Sequence, residues 1–231
     1  MALPPFIFDK LIHVLVFGVS YAKIADSTCS ATTLRTRRDE WITAGIFEKL
    51  EQICLESYDR IVGLELYNLS VDGCIVTAPC GGDAAGKSPV DRGKQGTKRS
   101  LMVDGNGIPI GCVIAGANRN DSPLLAPTLE KLDRFGFHLP EEITVHLDAD
   151  YDSSKTRSLL TELGCDWEIS TKGEPLQAGA RWVVERRTSW HNRGFKKLLV
   201  CTERRTLGHR GVYCVSERGD HRLLINPIKG S

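Results

Sequence analysis

An excess of charge of one sign is missing from this sequence. Thirty Lys and Arg stand against 29 Asp and Glu, a net charge of +1, so affinity for a polyanion has to come from local clusters of basic residues. Paired cysteines are missing as well. Cys29, Cys54, Cys74, Cys80, Cys112, Cys165, Cys201 and Cys214 include no C-x-x-C, and no histidine pair has zinc-finger spacing, which argues against zinc. With no secretory leader, these residues read as reduced thiols of a cytoplasmic protein, several of them small core hydrophobes. Long apolar runs are also lacking. The stretch from Phe6 to Val19 is broken by Asp9, Lys10 and His13, which excludes a membrane span there and predicts a packed helix.

The 231 residues are 41% hydrophobic, enough for one substantial domain with a small appendage. From Pro4 to about Leu55, apolar residues recur at helical spacing, among them Ile7, Leu11, Val14, Leu15, Ile24, Leu34, Trp41 and Phe47, which predicts several short helices. Ser27 to Ser30 offer a turn and an N-cap for a helix that carries Arg35, Arg37 and Arg38. Residues 1–60 therefore read as a helical, helix-turn-helix-like segment whose arginines reach DNA phosphates or base edges. The plainer alternative is a helical cap with a solvated basic face.

Leu64 to Ala78 reads as a strand, and residues 79–99 as a long Gly-rich loop holding Lys87, Arg92, Lys94, Lys98 and Arg99, basic enough to suit a polyanion. Asp104-Gly105-Asn106-Gly107 between two apolar runs predicts a β-hairpin. A helix follows from Pro123 to about Phe135, then a strand from Ile143 to Leu147, a helix from Thr156 to Leu163 and a last strand from Cys165 to Ser170. A long helical pattern from about Arg181 to Arg204 counts Trp182, Val183, Trp190, Phe195, Leu198, Leu199 and Val200 in its apolar set. Residues 61–205 are thus expected to form a mixed α/β domain, a mixed sheet with helices on its faces.

Three acids stand out. Asp72 lies in an otherwise apolar strand, Asp148 ends the run Ile143–Leu147, and Glu185 sits in the first turns of the last helix. Acids from two strands and a helix suit hard divalent cations, which take oxygen ligands and only one or two protein carboxylates each. Two such ions, about 3.5–4 Å apart, hold the attacking and leaving oxygens of a phosphoryl displacement. Asp72 would bridge both ions, with Asp148 and Glu185 completing one each. Asp150 and Asp152 rival Asp148, and the Asp-x-Asp-x-Asp run lacks the Gly and Glu of a calcium loop.

Val71-Asp72-Gly73, the stretch Ser88 to Ser100, Gly116 to Ser122, and Arg181 to Arg186 together resemble the insertion-sequence-five group of bacterial DDE transposases. The resemblance spans roughly residues 15–205. It implies an RNase H-like catalytic domain that uses Mg²⁺ (two ions, with Mn²⁺ as substitute), with Asp72, Asp148 and Glu185 as the catalytic, metal-holding acids. It also implies double-stranded DNA partners, the terminal inverted repeats and the target, possible action as a homodimer on DNA, no membrane, and a bacterial cytoplasmic, nucleoid-associated location. DNA contacts are expected at Arg35, Arg37, Arg38, Lys94, Lys98, Arg99, Arg181 and Arg193.

The pattern also departs from the family. Asp150 stands where glycine is usual, and Ala178 and Asn192 replace the Tyr and Lys of a Tyr-Arg-Glu-Lys signature that Arg181 and Glu185 otherwise match, with Arg193 near enough to stand in for the Lys. Residues 206–231 form an irregular tail that resembles the product of a frame change. Two alternatives stay open at this point: a catalytically inactive DNA-binding remnant, and a nuclease of the same fold acting on other nucleic acid.

Overall fold

The structure is a computed structural model and describes residues 4–170 and 182–205. The expected tail 206–231, the connection 171–181 and, with it, Arg181 lie outside the described residues. The chain starts with four helices, α1 (Pro5–Phe17), α2 (Tyr21–Ile24), α3 (Ala31–Thr43) and α4 (Ile46–Ile61). Ser30 caps α3, its hydroxyl accepting from the Thr33 N–H. Gly18, in the left-handed region at φ 65°, ends α1.

Six strands follow among the described residues: β1 (Asn68–Thr77), β2 (Gly86–Lys87), β3 (Gln95–Val103), β4 (Pro109–Gly116), β5 (Thr144–Leu147) and β6 (Asp166–Ile169). β1 runs antiparallel to β3 and parallel to β5, which in turn is parallel to β6. β4 and the short β2 both pair with β3. This is a mixed sheet, antiparallel on one side of β1 and parallel on the other, in keeping with the RNase H-like arrangement. The hairpin forms where the Asp-Gly-Asn-Gly turn predicts it, with Gly107 at φ 84°, a conformation that favours glycine. A register shift between Met102 and Val103 accommodates Ile110 as an extra residue in β4.

Both faces of the sheet are covered. On one face Leu69, Val71, Met102, Val145 and Leu147 pack with Leu125 and Leu129 of α5 (Ser122–Leu129) and Leu160 of α6 (Ser154–Glu162). On the other, Leu101, Val103 and Cys112 meet Val183 and Val184 of α7 (Trp182–Gly194). The N-terminal helices gather around Leu34, Trp41 and Phe47, and close over Phe195, Leu198, Cys112 and Ile114. They share a core with the last helices and with β4.

Several expected boundaries move. The helix from Pro123 ends at Leu129 and continues as a 3₁₀ segment, Glu130–His138; Pro127, inside α5, has no N–H to give to the preceding turn. The single helix expected from Arg181 to Arg204 stops at Gly194, and only a short α8 (Lys196–Leu199) follows, since glycine favours a helix least among residues other than proline. In that region Val183, Val184, Phe195 and Leu198 are buried, whereas Trp182, Trp190 and Leu199 stay about half exposed. The long loop 79–99 is shorter than expected because β3 begins at Gln95.

A buried ion network ties α3 to the chain after α8. Arg38 Nη1 donates to Glu203 Oε2 at 2.8 Å and to Tyr21 Oη at 2.6 Å, and Lys197 Nζ lies 3.2 Å from Glu203 Oε1. Burial pushes the Glu203 carboxyl up, but Arg38 and Lys197 outweigh it and hold the group below the ordinary carboxylate value. A depressed folded pKa means that the stabilisation is present above the unfolded pKa and is lost as pH falls through the folded one. Glu203→Gln removes the carboxylate that Lys197 faces and leaves Arg38 with Asp39, 2.7 Å away, as its remaining counter-charge. It is expected to cost about 3–5 kcal/mol in urea unfolding at pH 7, with the gap to wild type narrowing as pH drops below about 4.

Candidate active site

Asp72 and Asp148 are brought together by strand register. The parallel pairs Asn68↔Thr144, Leu69↔Val145 and Ser70↔His146, continued by two residues, set Asp72 level with Asp148. Asp148 immediately follows β5 with extended backbone, φ −73° and ψ 159°, so the strand direction carries through to it. With adjacent strands roughly 4.8 Å apart, that continuation would make the two acids side-by-side neighbours. Just beyond, a 3₁₀ turn (Ala149–Tyr151) closes with the Tyr151 N–H donating to the Asp148 carbonyl at 3.0 Å. Asp150 sits exposed in that turn.

Glu185 is exposed in the first turn of α7. Its neighbour Val184 is fully buried against Leu101 and Val103, and Leu101 is the register partner of Asp72 across β1 and β3. Glu185 is thus carried by the helix that covers the sheet at the level of Asp72. Arg187 Nε donates to the Gly107 carbonyl and Arg99 Nη2 donates to Asn192 Oδ1 at 2.5 Å, so the helix is fastened at its middle to the hairpin turn and near its C-terminal end to β3.

Among the described residues, no three His, Cys, Asp or Glu side chains stand close enough together to hold a metal ion. The structure offers a carboxylate pair, Asp72 and Asp148, with the third acid on the overlying helix. In donor chemistry that pair fits a hard divalent cation, which takes one or two protein carboxylates and keeps several waters.

A second group, which the sequence reading missed, lies around β1. Asp121 accepts from Lys98 Nζ at 2.6 Å, with the lysine buried. A Cβ added at Gly73 would stand 1.8 Å from Asp121 Oδ1, so glycine after Asp72 is what lets this carboxylate approach the strand. Tyr151, 1% exposed, is held well above the ordinary phenol value, first by burial and then by the nearby carboxylates of Asp121, Asp72 and Asp148. Its hydroxyl makes no hydrogen bond of good geometry. The signal was available as Gly73 beside Asp72 and Tyr151 three residues after Asp148, but only the folded sheet connects them.

The basic residues divide into two sets. Arg38, Lys98 and Arg99 are buried and engaged inside the protein, with Glu203, with Asp121, and with Asn192 and Cys74 respectively. The expected loop placement is corrected, since Lys98 and Arg99 belong to β3, and Arg38 faces the helical core. Arg35 is exposed, its guanidinium 5.0 Å from the Tyr21 ring centroid. Arg37 pairs with Glu40 at 2.7 Å, and Lys94 is exposed 3.4 Å from Asp91. Arg193 is exposed and lines a groove of about 690 Å³ with Phe17, Ser189, Asn192 and Lys196.

The family model of the transposase DDE domain matches residues 67–193, the segment from β1 through α7 that holds all three acids. The chain belongs to this family. A protein of Burkholderia cepacia named "Putative transposase for insertion sequence element IS402" is 32% identical over 127 residues, 52% of this chain and 60% of that protein; the chain therefore spans less than two thirds of its length. Among solved structures, the catalytic domain of Mos1 mariner transposase superposes with a TM-score of 0.37 at 13% identity, over 79% of this chain and 88% of that one. The Mos1 mariner paired end complex with Mn gives 0.40 at 11%, over 87% and 72%. These superpositions are loose, and the topology described above stands on this chain's own strand pairing.

Gly73→Ala forces the Lys98–Asp121 pair away from β1. It is expected to lower unfolding free energy by about 1–3 kcal/mol, the usual range for overpacking, read as a shift of the urea midpoint. Asp121→Gly in the same chain makes room for the methyl group, so the two losses should be less than additive.

Proposed function

We propose that the chain is a DNA transposase of the bacterial insertion-sequence type, with Asp72, Asp148 and Glu185 as its catalytic acids. The observation that supports the proposal is the β1–β5 register, paired through Ser70↔His146, whose continuation would bring Asp72 level with Asp148 within the family-matched segment. Assignment to the insertion-sequence-five group rests on the sequence motifs around these acids.

Asp72 and Asp148 would hold a divalent cation, Mg²⁺ or Mn²⁺, and Glu185 would complete the ligand set from α7, for a second ion as well if two bind. When bound, such an ion acidifies a water or hydroxyl nucleophile and stabilises the charge on phosphate oxygens. The protein supplies position. The strand pair would fix two carboxylates in register, α7 would carry the third at the same level of the sheet, and the buried Tyr151 would anchor the turn after Asp148. Hydrolysis at the element boundary frees a 3′-hydroxyl, which then joins target DNA. Arg35, Lys94 and Arg193, exposed on the described surface, are the cations best placed to meet phosphates of the terminal inverted repeats. Action on two ends at once suits a dimer assembled on DNA in the bacterial cytoplasm. No helix among the described residues is long and apolar enough to cross a membrane.

The test is cleavage of a duplex carrying the element's own terminal repeat, followed by joining to plasmid DNA, in Mg²⁺ and in EDTA. Wild type should nick and join only with the metal. Asp72→Ala, Asp148→Ala and Glu185→Ala should each lower the nicking rate by more than about 100-fold, beyond the effect typical of losing an outer-shell partner. End binding without any metal-dependent nicking would sink the enzymatic reading in favour of an inactive remnant, and nicking without joining would reduce the function to that of a nuclease.

A further inference from the structure

We propose that the outer face of α7 is a stacking platform for unpaired DNA bases, formed by Trp182 and Trp190 with Arg186 between them. The inference deepens the transposase reading and rests on it for the identity of the nucleic acid.

Tryptophan is costly to leave in water, since its ring normally buries a large apolar area. Here two of them are 49% and 48% exposed on one helix whose other apolar residues, Val183 and Val184, are buried. Positions 182, 186 and 190 repeat at four residues, so they form a single row about 12 Å long at 1.5 Å per residue. The Arg186 guanidinium lies 4.2 Å from the Trp182 ring centroid and 5.3 Å from that of Trp190, and Arg187 lies 5.8 Å from Trp190. Those contacts stiffen the row within the helix. They also put a cation's N–H donors between two aromatic rings, a pairing of phosphate contact and base stack that single-strand binders use.

The position of the row fits the proposed chemistry. Glu185 is three residues from Trp182, hence adjacent to it on the helix surface. Toward the C-terminal end of α7, Ser189, Asn192, Arg193 and Lys196 line a groove. A strand leaving the acids along α7 would therefore meet rings for its bases first, and then two cations for its phosphates. Unpaired bases are the ligand favoured because a ring face stacks on a base face, and a duplex presents edges and phosphates instead.

Fluorescence anisotropy of a labelled oligothymidylate of about 20 nucleotides, longer than one stacking site, tests this with the full chain in EDTA, beside a duplex of equal length. The double variant Trp182→Ala/Trp190→Ala should weaken single-strand binding at least about tenfold and duplex binding less than about threefold. Trp182→Leu/Trp190→Leu keeps the apolar cover without the ring faces and should fail in the same way, whereas Trp182→Phe/Trp190→Phe should recover most of the affinity. Wild-type single-strand affinity in the Leu variant, or an equal loss on both DNAs, would overturn the platform. The two readings fail separately: a wild-type chain that prefers single strands but never nicks the element's ends disproves the enzyme, and one that nicks normally without that preference disproves the platform.

Discussion

β1 is hydrogen-bonded along both edges, antiparallel to β3 and parallel to β5, and most of what matters in this protein is a consequence of that double pairing. A strand held on both sides cannot slip by one residue without moving every side chain to the other face. With Leu69 and Val71 fully buried, such a slip would send Asp72 into the apolar layer that they occupy. The same register that buries the valine and leucine therefore presents the aspartate on the α7 side and sets it level with Asp148. Gly73 adds a second constraint, since only its missing side chain lets Asp121 sit against the strand.

Around this strand the fold uses cations as internal ties. Arg38, Lys98 and Arg99 each lie buried against an acid, an amide or a thiol, and together they join α3 to the chain after α8, β3 to α5, and β3 to α7. Buried pairs of this kind do not by themselves make a protein more stable than apolar packing would, but losing one partner is expensive. They hold the elements in one relative placement. Of the cations expected to meet DNA, Arg35, Lys94 and Arg193 remain exposed, so a near-neutral chain still presents positive charge to a polyanion.

Much of this was legible in the sequence. The hairpin followed from Asp104 to Gly107, the cap of α3 from Ser30, and the mixed sheet from the order of elements, because turn chemistry and apolar period are local properties. The three proposed acids rest on motif and setting. Burial of the cations could not be read: Lys98 and Arg99 follow a Gly-rich stretch and look like loop residues until β3 is seen to begin at Gln95. Nor could the exposure of Trp182 and Trp190, since a helical period counts tryptophan as core and the break at Gly194 changes which face of the helix is covered. The Lys98–Asp121 pair joins residues 23 positions apart, and no local pattern predicts such a contact.

The central claim is that strand register makes Asp72 and Asp148 one divalent-cation site. Calorimetric titration of the DNA-free protein with Mn²⁺ tests it most directly, with Asp72→Asn, Asp148→Asn and the double variant measured beside wild type. The account predicts binding by wild type, a loss of at least about tenfold in affinity for either single variant, and no further loss in the double variant, as expected of two ligands that act as a unit. Unchanged Mn²⁺ affinity in either single variant would contradict it.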